Sequence, residues 1–306
     1  MHCFSRDNYS SLVSVLRQYG KRVCSGVAFA LIANVVTASI IVDRASVEQA
    51  LQRGALLWDV RAPADYQKGH VPGAVSIGDA PTVLRDANRE DFISVAAIER
   101  ILGGAGIDPS REIVVYGNRG TWNPYFGLYT VQYFGGNRVS VYHDGIEDWM
   151  EAGKPLVQIE TKLPPVALKL TVDHSRVAST REVIEKVGKA GVQIVDARTP
   201  AEFQGNDIRA IRGGHVPGAV NIPYEQNWRE PDTLAKLGKK QVNSSVGMSL
   251  KSVDDLHKLY AGLDKDKETI VYCQSGARAS ESAGVLQQLG FKNVKVYDSS
   301  WLGYAS

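Results

Sequence analysis

Cysteine, clustered metal ligands and runs of basic residues are all scarce in this sequence. Three cysteines occur among 306 residues, and Cys3 and Cys24 both lie in the first two dozen positions. Such a chain has no material for a disulfide framework, and it has no Cys/His cluster of metal-ligand spacing, so we expect no metal and no other cofactor. The 35 basic and 33 acidic residues give a net charge of +2 without a dense basic run, which argues against nucleic acid as a partner.

An interrupted apolar stretch near the N-terminus is typical of an export signal. Basic residues precede it, it begins at Val23, and it ends in the small-residue motif Val36–Ala38, which fits a signal-peptidase site. We therefore expect residues 1–38 to be a cleaved signal peptide and the mature protein to be periplasmic or secreted. The alternative is an uncleaved membrane anchor over residues 23–42. Once the signal is removed, Cys273 is the only cysteine, so its thiol has no partner for an internal disulfide.

A repeated string divides the rest of the chain into two halves. GHVPGAV occurs at Gly69–Val75 and again at Gly214–Val220. Asp-x-Arg and an acidic–aromatic pair precede both copies, as Asp59, Arg61, Asp65 and Tyr66 in the first half and Asp196, Arg198, Glu202 and Phe203 in the second. Downstream, Asn118 lies 24 residues before Tyr142, and Cys273 lies 24 residues before Tyr297. This shared order and spacing predicts a duplicated domain, and 306 residues are enough for two.

Helix-like and strand-like segments alternate in each half. Ser46-x-x-Gln49 and Ser179-x-x-Glu182 have the pattern of capping boxes, which open helices, and short apolar segments such as VQIVDA and ETIVYC are typical of buried strands. The alternation predicts, in each half, an α/β domain with a central, mostly parallel sheet flanked by helices. Three prolines mark a linker between them, so we place the first domain at residues 39–153, the linker at 154–171 and the second domain at 172–306.

The distal cysteine stands at the end of one predicted strand. Beyond Cys273 we expect a helix from about Ala279 to Leu289. The loop between them reverses the chain within five residues: Gln274, Ser275, Gly276, Ala277 and Arg278. The N–H groups of such a loop and the helix dipole favour negative charge, Gly276 permits positive φ, and Arg278 adds a fixed positive charge. The loop is suited to a thiolate that attacks an anionic substrate.

Two chemistries use a loop of this kind, phosphoryl transfer and sulfur transfer. Phosphotyrosine-type phosphatases have Cys-x5-Arg, a loop wide enough to surround a tetrahedral phosphate. Here only four residues separate Cys273 from Arg278. The tighter loop suits a smaller transferred group, so the spacing favours sulfur transfer and leaves a small-loop cysteine phosphatase as a less favoured alternative.

Taken together, the motifs resemble those of the tandem-domain rhodaneses, which are thiosulfate or 3-mercaptopyruvate sulfurtransferases. The family pattern is met in the second half at Asp196, Arg198, Glu202-Phe203, Gly214–Ala219 and Cys273–Arg278. The resemblance runs from about Ile41 to the C-terminus and implies two tandem rhodanese-like domains in a sulfurtransferase of the exported bacterial type.

The resemblance also implies a persulfide route. Cys273 would attack the outer sulfur of a donor such as thiosulfate, and a thiophilic acceptor, cyanide or a thiol, would take that sulfur from the Cys273 persulfide. The N–H groups from Gln274 to Arg278 would hold the persulfide, and Arg278 would hold the anionic end of the donor. Asn118 replaces the cysteine in the first domain, which in tandem members is usually inactive. Because interdomain surfaces often form binding sites, we expect this domain to wall the cleft around Cys273 and to stabilise its partner, with a wholly vestigial role as the alternative.

Several residues recur in the active and the inactive half, which favours structural roles for them. His70 and His215 are expected to have structural hydrogen-bonding roles, and Asp59–Arg61 and Asp196–Arg198 are expected to be ion pairs that brace the strand ends. Trp301, near the C-terminus, is most simply explained by packing in the core or the cleft.

The identity of the donor rests on weaker signals. The cationic loop with Arg278 favours thiosulfate over 3-mercaptopyruvate. Arg209 and Arg212, in the eight-residue insertion before His215, are candidates for donor binding, with a solvated surface position as the alternative. We expect a monomer that binds a small anionic donor and a thiol or cyanide acceptor, with membrane contact only if the N-terminal segment is uncleaved. A persulfide carrier that accepts sulfur only from a partner protein is the remaining alternative.

Overall fold

The computed structural model describes residues 39–86, 88 and 91–306. The predicted signal peptide, residues 1–38, lies outside the described residues. In the part of the chain that is described, no helix has both the length and the apolar character needed to cross a bilayer.

The first half forms an α/β domain around one parallel sheet. Its strands are β1 (Ile41–Val42), β2 (Leu56–Asp59), β3 (Val75–Ser76), β4 (Ile113–Tyr116) and β5 (Val139–Tyr142). Its helices are α1 (Arg44–Gln52), α2 (Pro63–Lys68), α3 (Ala80–Leu84), α4 (Val95–Gly104), α5 (Asn123–Tyr133) and α6 (Gly145–Glu151). The strands pair in the order β1-β5-β4-β2-β3, and every pairing is parallel.

The second half repeats this plan. Its strands are β6 (Val177–Ala178), β7 (Val192–Asp196), β8 (Val220–Asn221), β9 (Glu268–Tyr272) and β10 (Asn293–Tyr297). Its helices are α7 (Thr180–Lys186), α8 (Pro200–Phe203), α9 (Thr233–Gly238), α10 (Val253–Leu259), α11 (Ala277–Gln288) and α12 (Ser300–Ala305). The order β6-β10-β9-β7-β8 matches the first sheet strand for strand, so the predicted fold class, two tandem α/β domains, is confirmed.

Helix starts follow the sequence prediction in one half and depart from it in the other. Ser179 caps α7 as predicted, and its Oγ accepts the N–H of Glu182 at 3.2 Å. Of the predicted capping box this is the half that forms, since the Glu182 carboxylate binds Lys186 and Lys295. The predicted cap at Ser46 is wrong, because α1 already begins at Arg44 and the Asp43 carboxylate accepts the N–H of Ser46 at 2.9 Å. An ionised carboxylate is a strong cap acceptor and also complements the helix dipole, so the helix starts at the aspartate.

The two domains share a continuous apolar core in which α5 packs against α11. The contact is close because α11 is built largely of small residues, and a Cβ at Gly284 would lie 2.7 Å from the ring of Tyr125. Since α11 follows Cys273 directly, this packing brings the first domain to the thiol.

The segment between the domains lies along the first domain. The backbones of Val157 and His70 exchange two hydrogen bonds of 2.9 Å, Val166 N–H donates to Gly103 O at 2.9 Å, and Asp173 N–H donates to Tyr133 O at 2.7 Å. Backbone pairing of this kind satisfies the polar groups of a segment that forms neither helix nor strand between residues 155 and 172.

Candidate active site

Cys273 lies at the carboxyl end of β9, where the strand turns into α11. Its side chain is buried, with 1% exposure. The helix begins at Ala277, two residues earlier than the sequence analysis places it, because Gly276 takes a left-handed conformation with φ +82° and turns the chain at once. A Cβ at Gly276 would lie 2.5 Å from Oδ1 of Asp298, so glycine is also required by close packing.

Ser300 holds the Cys273 loop in place by hydrogen bonds to its backbone. Its Oγ accepts the N–H of Cys273 at 3.1 Å and the N–H of Gly276 at 2.9 Å, and donates to the carbonyl of Tyr297 at 2.7 Å. Ser300 is fully buried and has φ +51°, an uncommon backbone conformation for a non-glycine residue. Ser300 was not predicted from the sequence, although β10 is a neighbour of β9 in the sheet and residues beyond the two strand ends therefore lie side by side.

The start of α12 also binds the loop. The N–H of Trp301 donates to the carbonyl of Cys273 at 3.0 Å, and the N–H of Leu302 donates to the carbonyl of Gln274 at 3.1 Å. The Trp301 ring packs on the guanidinium of Arg198, whose central carbon lies 4.6 Å from the ring centroid. Trp301 therefore has the packing role predicted for it.

The first turn of α11 follows the Cys273 loop directly and carries N–H groups that the helix itself does not use. Ser300 uses the N–H of Gly276, whereas the N–H groups of Ala277 and Arg278 belong to the first turn of α11 and have no intrahelical acceptor. Together with the positive end of the helix dipole they favour an anion beside Cys273.

Arg278 has a partner that the sequence analysis did not foresee. Its two terminal nitrogens donate to the carboxylate of Glu202 at 2.8 and 2.7 Å, and Nη1 of Arg209 lies 3.3 Å from the same carboxylate. Burial acts to raise the pKa of Glu202, but the hydrogen bonds and charge of Arg278 outweigh it and lower that pKa to about 2. Glu202 therefore stays ionised and holds Arg278 in place.

A cleft of about 320 Å³ opens beside the thiol and is lined by both domains. The first domain contributes Pro81, Arg85 and Trp122. The second contributes Arg209, Tyr224, Glu225, Cys273, Gln274, Ser275, Ala277 and Arg278. The first domain thus forms one wall of the cleft, as expected.

Of the two candidate arginines in the insertion, the structure brings one to the cleft. Arg209 lines it, and the carbonyl of Arg209 accepts the side-chain N–H of Gln274 at 2.7 Å. Arg212 does not line this cleft, because its guanidinium donates to the carbonyl of Tyr304 at 2.8 Å in α12. Binding of the donor by Arg212 therefore has no support in the geometry.

The charges around the cleft nearly balance. Arg85 is paired with Asp298 at 2.6 Å, and Arg278 and Arg209 share Glu202. The carboxylate of Glu225 has no ion-pair partner among the described residues, and burial raises its pKa. Within the same residues, no group of three or more His, Cys, Asp or Glu side chains is arranged to hold a metal ion.

The corresponding loop of the first domain is occupied by a carboxylate of the chain itself. Glu147 accepts the side-chain N–H of Asn118 at 2.8 Å and the backbone N–H of Arg119 at 2.7 Å. Asparagine cannot form a thiolate, and a loop that already binds a carboxylate has no room for a second anion at these groups.

The recurring residues have the structural roles predicted for them. Arg61 and Arg198 each bind the aspartate two residues earlier at 2.7 Å, and both pairs are buried. His70 and His215 each lie flat on the preceding aromatic ring, at 3.7 Å between centroids, and donate through Nδ1 to the carbonyl of that aromatic residue at 2.9 Å. Neither histidine lines the cleft.

Comparison with known proteins agrees with this architecture. The model of the rhodanese-like domain matches residues 43–152 and 179–306. The chain is 33% identical over 248 residues to the thiosulfate sulfurtransferase of Corynebacterium glutamicum, covering 77% of each chain, and 32% identical over 253 residues to a relative from Mycolicibacterium smegmatis, covering 79% of this chain and 84% of the other.

Two solved structures share the fold. SseA from Escherichia coli, a 3-mercaptopyruvate sulfurtransferase, superposes with a TM-score of 0.67 at 23% identity, over 86% of this chain and 99% of that one. EanB superposes with a TM-score of 0.72 at 18% identity, over 85% of this chain and 66% of that longer chain. At these identities the likeness concerns the fold. Both halves match the family model, and the two sequence relatives are more than 30% identical over most of the chain. The chain therefore belongs to the rhodanese family, with one rhodanese-like domain in each half.

Proposed function

We propose that this protein is a sulfurtransferase that moves a sulfane sulfur from thiosulfate, through a persulfide on Cys273, to a thiophilic acceptor. The observation that carries the proposal is the position of Cys273 just before the N-terminus of α11, in a cleft that is also lined by Arg209 and Arg278. The thiosulfate sulfurtransferase of Corynebacterium glutamicum supports thiosulfate rather than 3-mercaptopyruvate as the donor.

The reaction consists of two displacements at sulfur. The Cys273 thiolate attacks the outer sulfur of thiosulfate, a new S–S bond forms, and sulfite leaves with the electron pair of the old S–S bond. The acceptor, cyanide or a thiolate, then attacks the outer sulfur of the persulfide, and Cys273 leaves as the thiolate. No net oxidation occurs, so the cycle needs no cofactor.

Each part of the loop has a task in this cycle. The N–H groups at the start of α11 stabilise the negative charge on the thiolate and on the outer persulfide sulfur. Arg209, half exposed at the cleft, meets the sulfonate end of the donor, while Arg278 is held by Glu202 and shapes the loop. Donor binding, which the sequence assigns to Arg278, is therefore proposed for Arg209 instead.

We further propose that the protein is exported by cleavage of residues 1–38 and acts as a monomer in the periplasm or outside the cell. Mass spectrometry of the N-terminus of the mature protein tests the cleavage, because retention of residues 1–38 in a membrane fraction would favour the anchor instead. Gel filtration of the mature chain tests the monomer.

The test of the function is thiocyanate formation from thiosulfate and cyanide, with 3-mercaptopyruvate as the parallel donor. We expect turnover with thiosulfate, a mass gain of about 32 Da on Cys273, the mass of one sulfur atom, and loss of both in Cys273→Ser. Asn118→Ser, the matched change in the first domain, should keep full activity. A stable persulfide without turnover would favour a carrier, and phosphate release from an aryl phosphate without sulfur transfer would favour a phosphatase.

A further inference from the structure

Arg85 belongs to the first domain yet lies against the loop of the second. It follows α3, and its side chain is almost fully buried, with 2% exposure. Its Nη1 donates to Oδ1 of Asp298 at 2.6 Å, and its Nη2 lies 3.4 Å from the carbonyl of Asp298. A residue of the inactive domain thus holds both the side chain and the backbone of one residue of the active domain.

Asp298 stands at the point where the loop is fastened. It follows β10 directly and precedes Ser300 by two residues, and Ser300 accepts the N–H groups of Cys273 and Gly276. Asp298 also touches the loop itself, because a Cβ at Gly276 would lie 2.5 Å from its Oδ1 and 3.3 Å from Nη1 of Arg85. The contacts therefore run without a gap from the first domain to the residue that carries the thiol.

We propose that Arg85 is a positioning residue for sulfur transfer: it fixes Asp298, and through it the turn whose Ser300 holds the Cys273 loop. This inference rests on the proposed function for its consequence in catalysis, although the physical link from Arg85 to the loop stands without it. It gives the inactive first domain a task in the reaction beyond walling the cleft.

The charge of Asp298 gives the link a pH dependence. Burial raises the pKa of Asp298 to about 6, and Arg85 opposes that rise. The titratable groups that face Asp298 are Arg85, Asp91, Tyr129 and Tyr133. Asp298 is half ionised at about pH 6, so the ion pair is complete only well above that pH and weakens as the pH falls through it. Loss of Arg85 removes the opposing charge, so Asp298 would become protonated at a higher pH.

The experiment compares Arg85→Met, Asp298→Asn and Arg85→Lys with the wild type. Arg44→Met is the matched control, because Arg44 pairs with Asp148 at 2.9 Å within the first domain. Two quantities are measured: amide hydrogen exchange of residues 273–278, and the rate of Cys273 persulfidation by thiosulfate between pH 5 and 8. Hydrogen exchange needs no substrate, so it tests the link even if the wild type forms no persulfide.

We expect faster exchange and about tenfold slower persulfidation in Arg85→Met and Asp298→Asn, the size of effect that misplaced reacting groups produce. The acid limb of the pH profile should move to higher pH in Arg85→Met, and Arg85→Lys should restore it in part. Because both residues serve one link, the double variant should lose no more than either single one.

Unchanged exchange and persulfidation in both single variants would overturn the proposal, as would an equal effect of Arg44→Met. Absence of a persulfide in the wild type, with exchange altered as expected, would instead contradict the proposed function and leave the link intact. If Arg85→Met does not fold, Arg85→Lys and Asp298→Asn still provide the comparison.

Discussion

The carboxylate of Glu202 lies 2.7 and 2.8 Å from the two terminal nitrogens of Arg278, five residues beyond the thiol of Cys273. The glutamate of this ion pair is closed to solvent, because the Glu202 side chain is 1% exposed. Arg278 is therefore largely neutralised where it meets the cleft. Its bidentate contact orders the start of α11, and the attraction for an anion comes from the N–H groups and from Arg209.

Replacement of Glu202 by glutamine should destabilise the protein near neutral pH. The folded-state pKa of about 2 is below the ordinary value of 4.5, so the stabilisation is complete above pH 4.5 and is lost as the pH falls toward 2. We expect Glu202→Gln to lower the free energy of unfolding at pH 7 by about 3 kcal/mol, since it leaves a buried guanidinium unpaired. Urea unfolding between pH 2 and pH 7 measures the difference.

Asp65→Asn is the matched control for that change. Asp65 occupies the same place in the first half but pairs with the exposed Lys68, and such surface pairs contribute at most about 1 kcal/mol. Equal losses of unfolding free energy in the two variants would show that burial does not increase the stabilisation by the Glu202–Arg278 ion pair.

Removal of the Ser300 hydroxyl should impair the loop more than the fold. Ser300→Ala leaves the N–H groups of Cys273 and Gly276 without their acceptor, and we expect a loss of about 2 kcal/mol in unfolding free energy. Persulfidation should slow at least about tenfold, because the loop is no longer held in its position around the Cys273 thiol. Single-turnover kinetics with thiosulfate measures the rate, and Ser299→Ala serves as the control. A rate equal to that of the control would contradict the role given to Ser300.

The two arginines of the insertion should behave differently. Arg209 lines the cleft, whereas Arg212 donates to Tyr304 in α12. We expect Arg209→Gln to raise the KM for thiosulfate about tenfold, equivalent to about 1.4 kcal/mol of binding energy, and Arg212→Gln to leave the KM unchanged. Steady-state kinetics of both variants at one ionic strength gives the comparison. A raised KM in Arg212→Gln alone would reverse the assignment.

Local and repeated patterns allowed much of this structure to be predicted. Strand β9 and the turn at Cys273 follow from a short apolar run that ends at a glycine-containing loop, and the matching sheets follow from GHVPGAV and its spacing. The structural roles of His70 and His215 could also be predicted. A residue that occurs in both the active and the inactive half contributes to what the two halves have in common, which is the fold.

The features that could not be predicted from the sequence depend on contacts between distant segments of the chain. Arg85 and Asp298 are 213 residues apart, and no periodicity or motif relates them. Ser300 acts through a neighbouring strand, and Glu202 meets Arg278 across 76 residues. The wrong cap at Ser46 has a local cause, since both Asp43 and Ser46 are good caps and the pattern alone does not rank them.

The carboxylate of Glu147 at the first-domain loop bears on how this duplicated protein can evolve. A cysteine at position 118 would place a thiol beside the side chain of Glu147, on a loop whose glycine comes two positions after that site instead of three. A single substitution at position 118 therefore does not give the first domain a loop like that of Cys273. At least two further steps, removal of the acid and a shift of the glycine, stand in the way, so the specialisation of the two halves resists reversal.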